Sequence, residues 1–160
     1  MALRTIVKDG DPILKKVCRP VTKFDDRLAT LLDDMQDTLV DADGLGLAGP
    51  LDDRNRPEDA PADYKDTFIE FINPEIEYLS DETAELYEGC LSFPGHNGAI
   101  TRSKKVKVKA QDRNGNWFEL EAENMLARCI QHENDHLNGV TIMDRATHFY
   151  EDDYPEDAED

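Results

Sequence analysis

His132 and His136 stand four residues apart in the stretch QHENDHLNG, with Glu133 directly after the first. Residues 124 to 138, NMLARCIQHENDHLN, place Leu126, Cys129, Ile130, Glu133 and Leu137 at helical spacing, and Gly139 falls where a helix C-cap belongs. On a helix, positions i and i+4 share one face, so both imidazoles can turn towards a single ion. Glu133 is rotated about 100° from His132 and can reach a water on that ion. A plainer reading is a helix with two surface histidines. The chain has only 4 histidines in 160 residues, which argues against it.

A catalytic metal usually takes three protein ligands and keeps one open position. The spacing of the two histidines leaves the third ligand open among three places. A histidine six residues after His136 would complete one protease pattern; Gly139 fits it, but Ile142 occupies that position. A later acid such as Glu156 would complete a second, from a tail without an apolar stripe. The third place is upstream, at Cys90 in YEGCLSFPG, where a thiolate is a strong ligand and Gly89 lets the backbone approach closely. A buried apolar role is the alternative for Cys90, and the better description of Cys129 on the helix.

Around this helix the chain reads as α+β. Residues 25 to 41 align Leu28, Leu31, Leu32, Met35 and Leu39 on one stripe, and Asp25 or Asp26 can cap the start. TFIEFINPEIEYLS reads as two short strands around Asn73-Pro74. KVKVKAQDRNGNWFELEAE is the clearest hairpin: Val106, Val108 and Ala110 alternate with lysines, and RNGN supplies the turn. The expected fold is a set of short, mostly antiparallel strands around helix 124–138, with helix 25–41 packed outside. Residues 1–148 form one domain, and the acidic stretch 149–160 is expected to be a disordered tail. DADGLGLAGPL carries Gly44, Gly46, Gly49 and Pro50, yet matches neither phosphate-loop pattern. It reads as a turn or as a backbone edge close to a ligand. Residues 52–66 read as a mobile polar loop.

GLGLAGP, EGCLS and QHENDHLNG, in this order, resemble the three signature motifs of the peptide deformylases. The resemblance takes in INPEI and the hairpin, and runs from the N-terminus to about residue 145. The short length is similar to that of small phage-encoded members. The resemblance implies that Cys90, His132 and His136 hold the metal, usually Fe2+, with Zn2+, Ni2+ or Co2+ as substitutes. It implies Glu133 as the catalytic acid–base and the Leu91 N–H as a donor to the oxyanion. Leu45, Gly46 and Gly89 would lie along the substrate backbone. The implied reaction removes the N-formyl group from N-formylmethionyl nascent peptides and releases formate. Two residues depart from the family pattern: Leu51 stands where a glutamine normally donates to the oxyanion, and Arg128 stands where an apolar pocket residue is common. Asn97 or Arg54 could replace the lost donor. Met125 and Leu126 could wall the methionine pocket. Two readings compete: an H-E-x-x-H zinc peptidase drawing a ligand from residues 144–160, and a non-catalytic deformylase-like binder.

Charge bounds the partners. With 18 basic against 36 acidic residues, the net charge of −18 opposes nucleic acid and anionic surfaces. The one basic run, SKKVKVKA, reads as the wet face of a strand. Because the chain ends in acid, weak or no ribosome docking is expected. No apolar run approaches about 18 residues, the length of a membrane span. The start MALRTIVKDG lacks the apolar core of a secretory signal, and three widely spaced cysteines make a poor disulfide framework. A cytoplasmic location follows, the host cytoplasm if the chain is phage-encoded.

Overall fold

The computed structural model describes residues 2–42, 44, 46, 50–51 and 68–150. Its arrangement is α+β, as expected. Helix α1 spans Asp26–Ala42, followed by short strands β1 (Pro50–Leu51) and β2 (Ile69–Glu70). Strands β3 (Ile72–Leu79), β4 (Thr83–Gly89), β5 (Asn97–Ser103), β6 (Lys105–Gln111) and β7 (Trp117–Glu123) lead into α2 (Asn124–Leu137) and a last turn, α3 (Ile142–Arg145).

Every pairing is antiparallel: β1 with β2, β4 with β5, and β6 between β3 and β7. The β6–β7 hairpin forms as its alternation dictates. Val106, Val108 and Ala110 point inward with Leu120 and Ala122, while Lys105, Lys107 and Lys109 stand opposite Glu123, Glu121 and Glu119. The basic run is therefore a strand face already matched by acids. The turn is tied by Asp112, whose carboxylate accepts the Asn114 and Asn116 N–H groups, with Gly115 at φ 84°.

Helix α2 lies across this hairpin. Leu126, Ala127 and Ile130 pack with Val106, Val108, Leu120, Ala122 and Ile69 in the main core. Its end is a Schellman motif: the Gly139 N–H bonds the His136 carbonyl and the Val140 N–H bonds that of Asp135. Gly139 is at φ 73°, and a Cβ there would lie 2.5 Å from the Lys15 carbonyl oxygen, so only glycine fits.

Helix α1 is capped by Asp25, which accepts the Leu28 N–H. Leu28, Leu32 and Leu39 of the expected stripe are buried, but Leu31 is exposed. The stripe bends because α1 also buries Asp34 and Thr38, which hold the N-terminal segment through the N–H groups of Ala2 and Arg4. The break expected at Asn73-Pro74 falls elsewhere. The two strands divide at Phe71, and Asn73 sits inside β3 as a bulge with φ 51°. Its amide replaces the lost ladder bonds by pairing with Val21 N–H, the Val21 carbonyl and Gln111.

Pairing continues past the expected domain edge at 148: Phe149 bridges Gly98 and the Tyr150 N–H bonds the Asn97 carbonyl. The loop expected at 52–66 and residues 151–160 of the expected tail lie outside the described residues. No helix among the described residues is long and apolar enough to cross a membrane.

Candidate metal centre

Cys90 follows β4 directly, at the start of a tight connection to β5. The Phe93 N–H bonds its carbonyl, and Gly95, at φ 80°, completes the reversal. The connection is pinned from outside by Lys8 Nζ on the Leu91 carbonyl, 2.9 Å, and by the Asp9 N–H on the Ser92 carbonyl. This fixes Cys90 against α2.

The sulfur lies 3.3 Å from His136 Nε2, which lies 3.2 Å from His132 Nε2. The three donor atoms fall within 4.8 Å of one another, a set that could hold a metal ion. Of the three places open for a third ligand, the upstream cysteine is the one brought to the histidines. Ile142 is in the core, and Asp144 caps Thr141 and pairs with Lys15. Glu156 lies outside the described residues.

The donor chemistry fits a metal. His132 gives its Nδ1–H to Glu88 Oε1 at 2.8 Å, which leaves Nε2 facing the other two donors. Burial opposes charge on Cys90, but its bonds to His132 and His136 outweigh that and bring the thiol down to about 6. Burial likewise opposes charge on His132, and its bonds to Cys90 and Glu88 raise it to about 10. The protein free of metal thus stabilises a thiolate beside an imidazolium, and metal uptake displaces the imidazolium proton.

Glu133 points from the same helix, with Oε1 4.0 Å from His132 Nε2. Burial raises its carboxyl above the ordinary range, against the pull of both histidines. A raised carboxyl is a better proton acceptor than an ordinary one, which suits a group that takes and returns a proton. Gly46 packs on it: a Cβ there would come within 2.7 Å of Cys129 Sγ and 3.1 Å of Glu133 Oε1. Cys129 is half-buried against the core, and desolvation pushes its thiol well up, so it is the inert cysteine of the pair.

These groups line a cavity of about 740 Å³, together with Gly89, Leu91, Asn97 and Met125. The Leu91 N–H has no acceptor among the described residues. Met125 lines the cavity, while Leu126 is fully buried core. Leu45 and Arg54 lie outside the described residues; Leu51 is described only as backbone in β1.

What sequence reasoning missed is the support behind the donors. Glu88 holds His132 and also accepts Arg102 Nε at 2.6 Å, Arg102 Nη2 at 3.0 Å and Arg128 Nη1. Arg102 and Arg145 both reach Asp135. Burial works against the Glu88 charge, yet His132 and Arg102 bring its carboxyl down to about 2. The available signal was position: Glu88 is two residues before Cys90, on the same face of an extended chain.

Over residues 3–151 the chain matches the family described as Polypeptide deformylase. A peptide deformylase of Caldicellulosiruptor bescii is 47% identical over 149 residues, spanning 93% of this chain and 89% of that protein. One of Natranaerobius thermophilus is 44% identical over 146 residues, spanning 91% and 94%. The crystal structure of a peptide deformylase from Thermotoga maritima superposes with a TM-score of 0.82 at 39% identity, covering 92% of this chain and 100% of that one.

Proposed function

The chain belongs to the polypeptide deformylase family, and we propose that Cys90, His132 and His136 hold the metal ion with which it removes the formyl group from N-formylmethionyl nascent peptides. The observation that carries this reading is the meeting of one sulfur and two imidazole nitrogens beside a half-buried glutamate in a single cavity.

A divalent ion at the three donors supplies Lewis acidity and brings the pKa of water towards neutrality. Glu133 takes the proton of water as its oxygen adds to the formyl carbon, then returns it to the departing amine. One C–O bond forms, the C–N bond breaks, and formate and a free amine leave. The Leu91 N–H donates to the oxygen that gains charge. Gly46 and Gly89 line the cavity and offer backbone edges to the peptide, a role the family resemblance also implies for Leu45, which lies outside the described residues. Glu88 keeps the His132 ring aimed, and Arg102 keeps Glu88 charged.

For the ion itself we favour Fe2+, with Zn2+, Ni2+ or Co2+ as substitutes, on the resemblance to the family; the cysteine and two histidines accept any of them. Metal analysis of anaerobically purified protein tests this. The net charge of −18 favours weak or no ribosome docking in the cytoplasm, and cosedimentation with ribosomes at low salt would contradict it. The principal test is formate release from formyl-Met-Ala-Ser with Glu133→Gln as the blank. Turnover supports the enzyme despite Leu51; metal binding without turnover would instead favour the non-catalytic binder.

A further inference from the structure

The turn after β4 holds its backbone carbonyls and leaves a backbone donor unused. The Cys90 carbonyl accepts the Phe93 N–H, the Leu91 carbonyl accepts Lys8 Nζ at 2.9 Å, and the Ser92 carbonyl accepts the Asp9 N–H at 2.9 Å. The Leu91 N–H, in their midst, has no acceptor among the described residues.

Each trans peptide unit is planar, so its N–H points opposite its carbonyl. Phe93 therefore aims the Leu91 N–H by holding the Cys90 carbonyl. Lys8 holds the next plane, between Leu91 and Ser92. With the planes on both sides held, the φ and ψ of Leu91 are held too, and these are its only soft backbone dihedrals. The Leu91 side chain is confined as well: a Cβ on Gly44 would lie 2.8 Å from Leu91 Cδ1.

The hold on the second plane comes from 83 positions away and from outside the core. Lys8 and Asp9 are exposed, and Lys8 is not among the described residues that line the cavity. An exposed bond of this kind adds little to stability. Its charge makes it stronger and shorter than a neutral bond, which suits a locating pin. A donor aimed at developing charge works only where it is prepared in position, and a small displacement of such a group lowers rate. Leu51 sharpens the demand. It stands where the family resemblance expects a glutamine donor and can supply none. The Leu91 N–H is left as the one protein donor that the deformylase reading assigns to the oxyanion.

We propose that Lys8 is a positioning residue for the reaction: its ammonium, on the Leu91 carbonyl, fixes the turn so that the Leu91 N–H meets the oxygen that gains charge. This rests on the deformylase reading given above. Lys8 touches neither the substrate nor the three donor atoms, and it acts through the backbone of Leu91 alone.

The test measures kcat and KM for formyl-Met-Ala-Ser with the full chain loaded with Ni2+, alongside metal content and melting temperature. Lys8→Met should lower kcat about tenfold and leave KM within about twofold, because the donor acts in the transition state. Metal should stay stoichiometric, and the melting temperature should stay within about 3 °C. Lys8→Arg, which keeps a charged donor of similar reach, should recover most of kcat. Lys23→Met removes the same charge from an exposed site and should leave kcat unchanged. An unaltered kcat in Lys8→Met would overturn the proposal. So would a Lys8→Arg protein as slow as Lys8→Met, an equal loss in Lys23→Met, or a fall in kcat matched by lost metal or a lower melting temperature. No formate from the wild-type chain would overturn the deformylase reading, and this inference with it.

Discussion

Glu88 Oε1 accepts the Nδ1–H of His132 at 2.8 Å, while its other oxygen meets two guanidinium groups. One buried carboxylate therefore orients a donor imidazole and pairs with two arginines. Replacing it with glutamine should weaken metal binding about 10- to 100-fold, the usual cost of losing such a partner. Stability should fall by about 3–5 kcal/mol, since Arg102 and Arg128 lose a charged partner in the interior. Metal titration and thermal unfolding of Glu88→Gln measure the two effects separately. The folded carboxyl sits at about 2 against an ordinary 4.5, so its stabilisation is complete above 4.5 and disappears as pH falls towards 2. The variant should show a shallower acid limb.

Glu133→Gln should lower kcat about 10²- to 10⁴-fold, the range for a positioned proton-transfer group. The bound metal should remain stoichiometric, because Glu133 is not among the three clustered donors. Loss of metal in this variant, by elemental analysis, would count against that division of labour.

Cys90 should titrate near pH 6 in protein stripped of metal. Metal binding needs both the Cys90 thiolate and the neutral His132 ring, so affinity should rise with pH up to about 10 and fall more steeply as pH drops through about 6. Thiolate absorbance at 240 nm reads the titration directly. Cys90→Ser should abolish the acidic step, and Cys129, pushed the other way by burial, should contribute nothing below pH 9.

Gly46→Ala places a methyl group 2.7 Å from Cys129 Sγ and 3.1 Å from Glu133 Oε1. The flexible carboxylate side chain yields first. The expected result is at least a tenfold fall in kcat with metal content unchanged, a loss of about 1.4 kcal/mol or more in the barrier. Full activity in this variant would show that Glu133 tolerates displacement.

The net charge of −18 makes the folded chain repel itself. Moderate salt screens that repulsion within about 10 Å at 0.1 M. The melting temperature should therefore rise between low and moderate ionic strength, as read by calorimetry in sodium chloride.

The parts of the fold governed by local chemistry were legible in the sequence. The lysine–valine alternation announced β6, and Gly139 announced the end of α2. His132 and His136 named their own shared face through helical spacing. Cys90 could be weighed as a ligand, but its meeting with α2 depends on a connection pinned by Lys8 and Asp9 from the far N-terminus. Long-range pairing of this kind leaves no periodic trace. The same holds for Glu88, Arg102 and Asp135, charged residues whose burial is explained only by one another. Asn73 was read as a break because a bulge and a break use the same residues; the Val21 backbone, 52 positions away, decides between them.

The bond from the Tyr150 N–H to the Asn97 carbonyl also has a practical consequence. Asn97 borders the cavity, so whatever is joined after Tyr150 departs from its lip. Ten further residues span at most about 33–36 Å when extended. A group joined close after Tyr150 would thus stand at the cavity's edge, as would one joined close before Arg4, which lines the same cavity.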